Sequence, residues 1–379
     1  MQSLILIGAS FLITVAFTRD VAAEPAEPRP QSPTESAVGT AKALAKLDEE
    51  LDLLSPRIDQ SVKAGRYGEA EELAREILPL TAMRYGAGNW RVCSIRKSGE
   101  CYAQAARLSP ADQERVRRAV LMVDVGGKLL NDLKSAEAAP YFEKALKTLE
   151  ELLGEQNILS TDAGHHYARV LAMNGDSEQA KKLGINVVRI RRDVSGGESL
   201  EFAHAVETLG DIYYRAGMLK EAEEQLRLAD ETYLKLFEKR MIHQRLLAVT
   251  CLVTVLNEAG KYEDAESFAW TAVEIAEKFK KNVVPRLYLQ ARVGLAQCLH
   301  GVGKSNEAAR EFEQIVVFLA ETSMPVDSET DVIRRYLVVL DALGRVEEAG
   351  AQRNRLRNLQ QSLARRERSS EDELPVPPE

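Results

Sequence analysis

A short pattern recurs along the chain: a glycine, four intervening residues, and then an alanine, here called the signature alanine. It occurs at Gly65–Ala70, Gly175–Ala180, Gly217–Ala222, Gly260–Ala265, Gly303–Ala308 and Gly344–Ala349, and a version without the glycine ends at Ala138. From Ala138 onward, successive signature alanines are separated by 42, 42, 43, 43 and 41 residues. A fixed period of this length is typical of a repeat array, in which one supersecondary unit is stacked many times.

Each repeat has the pattern of a helix hairpin. The glycine can end a first helix in a left-handed conformation, since it has no Cβ to clash. The signature alanine follows in a second helix, where a small side chain lets the two helices approach closely. In the repeat that contains Ala222, Leu209 and Tyr213 share one face of the first helix, and Leu226 and Ala229 share one face of the second. We therefore expect hairpins that bury one face internally and the other against neighbouring hairpins.

These residues resemble the tetratricopeptide repeat. The matching positions are Leu209, Gly210, Tyr213, Gly217, Ala222 and Ala229, and again Ala138, Phe142 and Ala145. The 42-residue period and the fragment Arg189-Ile190-Arg191 are similar to the kinesin-light-chain subtype of that family. The resemblance implies an all-α, right-handed superhelical solenoid of helix hairpins over residues 38–368. It also suggests a bacterial exported protein, by analogy with large tetratricopeptide proteins of bacteria.

Both ends of the chain differ from the repeats. The run Leu4–Phe17 is apolar and uncharged but too short to span a membrane, and Val21-Ala22-Ala23 offers small residues for a signal peptidase. We predict a cleaved signal peptide over 1–23, with an uncleaved N-terminal anchor as the alternative. A disordered Pro-rich leader is predicted for 24–37 and a disordered acidic tail for 369–379. The mature protein is then periplasmic or secreted, with no membrane span.

One stretch departs from the period, because Ala70 and Ala138 lie 68 residues apart. We predict an irregular insert at about 85–110, followed by a long helix from about 110 to 134 that begins at Ser109 or Pro110.

The insert contains Cys93 and Cys101. On one continuous helix these cysteines would lie about 12 Å apart and could not form a disulfide. A helix break at Ser98-Gly99 would let them meet. Both alternatives remain open from the sequence. Cys251 and Cys298 are interpreted as small buried hydrophobic residues.

Composition and motifs narrow the possible functions. The net charge of −8 argues against a nucleic-acid partner, which needs a surplus of Lys and Arg. The chain contains no Cys-x-x-Cys pair, no His-Glu-x-x-His and no Gly-x-Ser-x-Gly, so we predict neither catalysis nor a cofactor. A metal site at His165, His166 and His204 is disfavoured, because adjacent histidines on a helix point about 100° apart.

A binding groove is the remaining candidate site. In tetratricopeptide proteins the first helix of each hairpin faces the concave side, so offsets from the signature alanines select the groove residues. The predicted peptide-binding residues are His165, His166, Arg169, His204, Glu207, Asp211, Tyr214, Arg215, Asn257, Gln297, His300 and Arg334. Polar and aromatic side chains of this kind suit capture of an extended peptide. If the histidines contact the partner, affinity should change near the ordinary histidine pKa of about 6.5.

The sequence thus predicts a non-catalytic scaffold that binds a protein or peptide partner. The first alternative is a self-assembling structural protein, in which exposed terminal repeats of different chains stack. The second is an enzyme with its site in the 86–110 region and Cys93 or Cys101 as nucleophile.

Overall fold

The computed structural model describes residues 35–132, 134–237, 243–280, 283–322 and 326–372. Fifteen α-helices and no strand are assigned within these ranges. The predicted signal peptide 1–23, most of the predicted leader 24–37 and the final residues 373–379 lie outside the described residues. No helix in the described ranges is both long enough and apolar enough to span a bilayer.

The helices follow one another with short connections, as the repeat pattern predicts. Their bounds are α1 Glu35–Lys63, α2 Tyr67–Tyr85, α3 Trp90–Ala106, α4 Pro110–Asn131, α5 Ser135–Leu153, α6 Ile158–Met173, α7 Ser177–Ser195, α8 Leu200–Arg215, α9 Leu219–Leu236, α10 His243–Glu258, α11 Tyr262–Lys278, α12 Pro285–Gly301, α13 Ser305–Glu321, α14 Val326–Ala342 and α15 Val346–Asp372. Helix α1 begins three residues before the predicted start of the array at 38, and α15 ends four residues after its predicted end at 368.

The turn chemistry inferred from the glycine pattern is confirmed. Gly175 has φ of +90° and follows α6. The chain closes there with hydrogen bonds from Gly175 N to Ala172 O and from Asp176 N to Leu171 O. A residue with a Cβ would be strained in this conformation. All seven signature alanines are fully buried, which explains why the pattern tolerates only a small side chain.

The helices form two compact units. The first unit contains α1 to α8 and the last part of α9 from Glu231, and the second contains Leu219–Asp230 of α9 with α10 to α15. Within the first unit α4 packs on α5, α5 on α6, α6 on α7 and α7 on α8. Within the second, α10 packs on α11, α11 on α12, α12 on α13 and α14 on α15. Each unit is therefore an all-α stack of hairpins.

The core of the first unit explains an unusual glycine pair in α4. A Cβ placed on Gly126 would lie 2.7 Å from Cζ of Phe142, whose ring is fully buried in α5. Real carbon–carbon contacts are near 3.5–4.0 Å, so the α4–α5 contact requires glycine at this position. Gly126-Gly127-Lys128 lies inside a helix and serves packing.

The prediction of an irregular insert at 85–110 is wrong, because this stretch forms helix α3. Asn89 caps α3 by accepting a hydrogen bond from Arg91 N, and the following helix α4 begins at Pro110 with Ser109 as its N-cap. Gly99 does not break α3. It allows close contact with α2, since a Cβ there would lie 3.3 Å from Cβ of Ala74. The 68-residue interval thus contains one additional helix between two hairpins.

The continuity of α3 settles the two alternatives for its cysteines. Cys93 and Cys101 are both free thiols, eight positions apart on one helix, and cannot form the disulfide that a helix break would have allowed. Burial raises the pKa of Cys101, which disfavours the thiolate that a nucleophile needs. Cys251 and Cys298 are buried and are not joined in a disulfide, as expected for small hydrophobic side chains.

Candidate functional site

Helices α6 and α8 bring together the eight predicted groove residues of the first unit. Asn157 caps α6 by accepting from Leu159 N, and Ser199 caps α8 by accepting from Phe202 N. The two helices pack side by side as first helices of successive hairpins. We call the set His165, His166, Arg169, His204, Glu207, Asp211, Tyr214 and Arg215 the α6/α8 cluster.

The paired histidines of the cluster lie edge to face, with ring centroids 5.2 Å apart. His166 is buried and stacks on Phe142 at 5.4 Å, while Nε2 of half-buried His165 lies 3.4 Å from Oγ1 of Thr208. Burial lowers the pKa of His166 to about 3 and the pKa of His165 well below its usual value. Both rings therefore favour the neutral form, which disfavours a pH-dependent affinity that arises from these two histidines.

Glu207 is a buried carboxyl group of the cluster whose pKa lies near neutrality. Its carboxylate accepts a 2.8 Å hydrogen bond from the hydroxyl of Tyr233, which is fully buried near the end of α9. Burial raises the pKa of Glu207 to about 7, against the lowering effects of the Tyr233 hydrogen bond and of Arg169. Asp211, one turn further along α8, raises it further. A carboxyl group poised in this way can change charge at physiological pH.

Asp211 holds the end of α8 together. Its Oδ2 accepts a 2.8 Å hydrogen bond from Nε of Arg215, and their side chains are 12% and 14% exposed. Arg215 is thereby fixed on the same stretch of helix as Tyr214, and both residues are half-buried.

The cluster therefore has two layers. His166, Glu207 and Asp211 are buried, so the interpretation of these three as direct contacts for a partner is corrected: they support their neighbours. The side chains that remain accessible are half-buried. They are His165, Arg169, His204, Tyr214 and Arg215.

The four predicted residues of the second unit lie on three helices, α10, α12 and α14. Asn257 is buried, and its Nδ2 donates to Gly294 O at 2.9 Å, so it ties α10 to α12 and does not face an open groove. Nδ1 of His300 lies 2.9 Å from Oγ of Ser305, at the start of α13. Gln297 is half-buried and Arg334 is exposed.

Sequence reasoning missed several residues that shape the first unit. Tyr233 was detectable, because it continues the buried face of Leu226 and Ala229 on α9 at helical spacing. Arg191 of α7 pairs with Asp162 of α6, and Glu201 of α8 accepts from Ser94 of α3. These pairings join residues 29 and 107 positions apart in sequence, so the spacing of neighbouring residues gives no signal of them.

Within the described ranges, no group of three or more His, Cys, Asp or Glu side chains is arranged to hold a metal ion.

No protein-family model matches the chain, and no curated protein matches it. Among solved structures, the apo form of RapI is similar with a TM-score of 0.51 and 15% identity, over 82% of this chain and 99% of that one. A Rap protein complexed with Competence and Sporulation Factor is similar with a TM-score of 0.50 and 14% identity, over 84% of this chain and 99% of that one. A kinesin light chain from Podosopora anserina with nearly identical TPR-like repeats has a TM-score of 0.45 and 21% identity, over 53% of this chain and 93% of that one.

At these identities the likeness concerns the fold alone. It supports the all-α tetratricopeptide-type repeat that the signature alanines and the turn geometry indicate.

Proposed function

We propose that the chain is a non-catalytic scaffold that binds a peptide or protein partner through the accessible layer of the α6/α8 cluster. Two contacts carry this proposal: Arg215 is paired with buried Asp211, and Arg169 acts electrostatically on buried Glu207, with half-buried His204 and Tyr214 on the same helix α8. Arginine and tyrosine side chains held in place by buried partners suit recognition, because little conformational entropy is lost when they bind.

The donors of this surface define what kind of partner it fits. Guanidinium groups donate several hydrogen bonds in a fixed geometry, and the tyrosine offers both an apolar ring and a hydroxyl. An extended segment with backbone carbonyls and carboxylate side chains offers acceptors of the matching kind. A Rap protein of similar fold is complexed with Competence and Sporulation Factor, which is in keeping with partner binding by such a fold.

Self-association is a second candidate, favoured by exposed apolar side chains on the last three helices. Val317, Val338 and Val346 are 58%, 59% and 75% exposed on α13, α14 and α15. Sedimentation at increasing protein concentration distinguishes the two candidates, because only self-association makes the mass depend on concentration. A monomer at all concentrations would remove this second candidate.

The proposed location is the periplasm or the outside of the cell, which rests on the signal-like residues 1–23. The proposed subtype is the 42-residue kinesin-light-chain-like repeat, which rests on the spacing of the signature alanines. Mass spectrometry of the protein purified from its source tests the location. A mature chain that begins at Glu24 agrees with it, and a chain that retains Met1 in the cytoplasmic fraction contradicts it.

Photocrosslinking tests the binding surface in the full chain. Tyr214 is replaced by the photocrosslinker p-benzoylphenylalanine, and the matched control carries the same replacement at Tyr141, which is 39% exposed on α5. In an extract of the source organism, we expect a defined crosslinked partner with the Tyr214 variant alone. Identical products from both positions, or none from either, would contradict binding at the α6/α8 cluster.

A further inference from the structure

A cavity of about 100 Å³ lies inside the first unit, with helix α3 as one of its walls. Helices α1, α4, α5, α6, α7 and α8 also contribute side chains to it. One part of the lining is apolar, including Ile58, Val120, Val123 and Leu149. Another part carries charged and polar groups, and the charged groups pair within the lining except at single buried atoms of Arg191 and Glu201.

Two buried groups of opposite charge each keep one polar atom without a partner. Arg191 is 3% exposed and pairs through Nη2 with Asp162, while its Nη1 has no hydrogen-bond partner. Glu201 is 5% exposed and accepts through Oε1 from Ser94, while its Oε2 has no partner. Both residues line the cavity. A buried charged group with an unsatisfied atom costs free energy unless something fills the space.

We propose that this cavity binds a small zwitterion, a free α-amino acid with a short side chain, whose ammonium group donates to Glu201 and whose carboxylate accepts from Arg191. The proposed site is separate from the accessible surface of the α6/α8 cluster. It requires neither the proposed partner nor the proposed location.

The charges of the lining select this class of ligand. Asp59, Asp124 and Asp162 line the cavity together with Glu201, so carboxyl groups outnumber the cations Lys63 and Arg191. A simple anion would face these carboxylates, and a simple cation would leave Arg191 Nη1 unsatisfied. A zwitterion supplies a donor and an acceptor together, and each contact is a charge-assisted hydrogen bond.

The volume of the cavity and its apolar lining limit the side chain that the amino-acid ligand can have. A cavity of about 150 Å³ can hold benzene with its six non-hydrogen atoms, so a cavity of about 100 Å³ limits the ligand to about six non-hydrogen atoms at most. Glycine and L-alanine are in this range. The apolar part of the lining, with Val120 and Val123, would contact the methyl group of alanine.

Binding of the amino acid would also stabilise helix α3 against local opening. Glu201 is already joined to α3 through the hydroxyl of Ser94, and Ser98 and Tyr102 of the same helix line the cavity. A ligand held between Glu201 and Arg191 would fill the space behind α3 and slow its local opening. Protection of the α3 amides against hydrogen exchange therefore reports occupancy of this cavity in particular.

The test is a calorimetric titration of the full chain with glycine and L-alanine at millimolar concentration, paired with hydrogen exchange of α3. Acetate and methylammonium, which each carry one half of the zwitterion, serve as comparison ligands. We expect at least one amino acid to bind and to protect α3, and each comparison ligand to bind at least about tenfold more weakly. This comparison needs only the natural protein, so it holds even if a cavity variant fails to fold.

A variant tests the assigned contact. Glu201→Gln keeps the shape and the acceptor for Ser94 but removes the charge, so we expect affinity for the amino acid to fall about tenfold or more. Glu151→Gln, at a carboxylate whose side chain is 59% exposed on α5, is the matched control and should leave affinity unchanged. The proposal is overturned if neither amino acid binds or protects α3, as expected of a cavity filled by water only. Equal affinity in Glu201→Gln and the natural protein would overturn it as well.

Discussion

Substituting Gly126 by alanine tests the close contact between α4 and α5 on which the first unit depends. The added methyl group would lie 2.7 Å from Cζ and 2.9 Å from Cε1 and Cε2 of Phe142. This is about 1 Å inside the optimal separation of carbon atoms. The Phe142 ring is fully buried, so it cannot move aside into solvent.

Two opposing effects decide the magnitude. Alanine favours the helix over glycine by about 1 kcal/mol. Overpacking a well-packed core costs about 1–3 kcal/mol, and the upper end applies here because the ring is enclosed. We therefore expect Gly126→Ala to lower the free energy of unfolding of the first unit by about 2 kcal/mol.

The assay is urea denaturation followed by tryptophan fluorescence. The chain has two tryptophans, Trp90 in the first unit and Trp270 in the second, so a Trp270→Phe background makes Trp90 the reporter for the first unit. Gly68→Ala is the matched control, because a Cβ at Gly68 in α2 meets no atom within 4 Å. The control should be neutral or stabilising by up to about 1 kcal/mol.

A double substitution isolates the cause of the loss. In a Phe142→Leu background the ring is gone, and Gly126→Ala should become neutral or stabilising by about 1 kcal/mol. An equal loss in both backgrounds would refute the reasoning, because the destabilisation would then not come from the Phe142 ring. Equal stability of Gly126→Ala and Gly68→Ala would refute it too.

Three further predictions concern buried groups. The folded-state pKa of Glu207 is raised to about 7, so its ionisation should lower the free energy of unfolding by about 3 kcal/mol as the pH rises from 4.5 to 7. Denaturation measured across this pH range should show no such loss in the Glu207→Gln variant. The folded-state pKa of His166 is lowered to about 3, so the free energy of unfolding should fall by up to about 5 kcal/mol as the pH falls from 6.5 toward 3. The His166→Phe variant should lose less stability over this pH range. An unchanged loss would contradict the burial of His166. Half-buried Cys93 should react with iodoacetamide in the folded protein much faster than buried Cys101, and equal rates by mass spectrometry would contradict the position of α3.

The repeats could be predicted from the sequence because their requirements are local. A left-handed turn needs glycine, and a helix crossing needs a small residue, so Gly175 and Ala180 identify their hairpin without knowledge of the rest of the chain. Helix α3 could not be predicted in this way. It is held by distant contacts, such as Ser94 to Glu201 and Gln104 Nε2 to Leu153 O, which no spacing along the chain encodes.

The sequence predicted which helices carry the candidate site, but not which of its residues are buried. Helical offsets placed Arg169 and Tyr214 on first helices, where the structure has them half-buried. The same offsets could not distinguish the buried residues Glu207 and Asp211, since their burial depends on neighbouring helices. For the same reason the offsets could not show that burial lowers the pKa of His165 and His166 and raises the pKa of Glu207.

The central claim is that the accessible layer of the α6/α8 cluster binds an extended peptide. The most direct measurement selects a displayed library of random peptides on the full chain and then determines Kd for a selected peptide with two variants. Arg169→Gln removes a cation of the cluster, and Arg189→Gln removes an exposed cation of α7 as the matched control. We predict that Arg169→Gln weakens binding about tenfold or more while Arg189→Gln leaves Kd unchanged. Equal Kd values for both variants and the natural protein would contradict the claim.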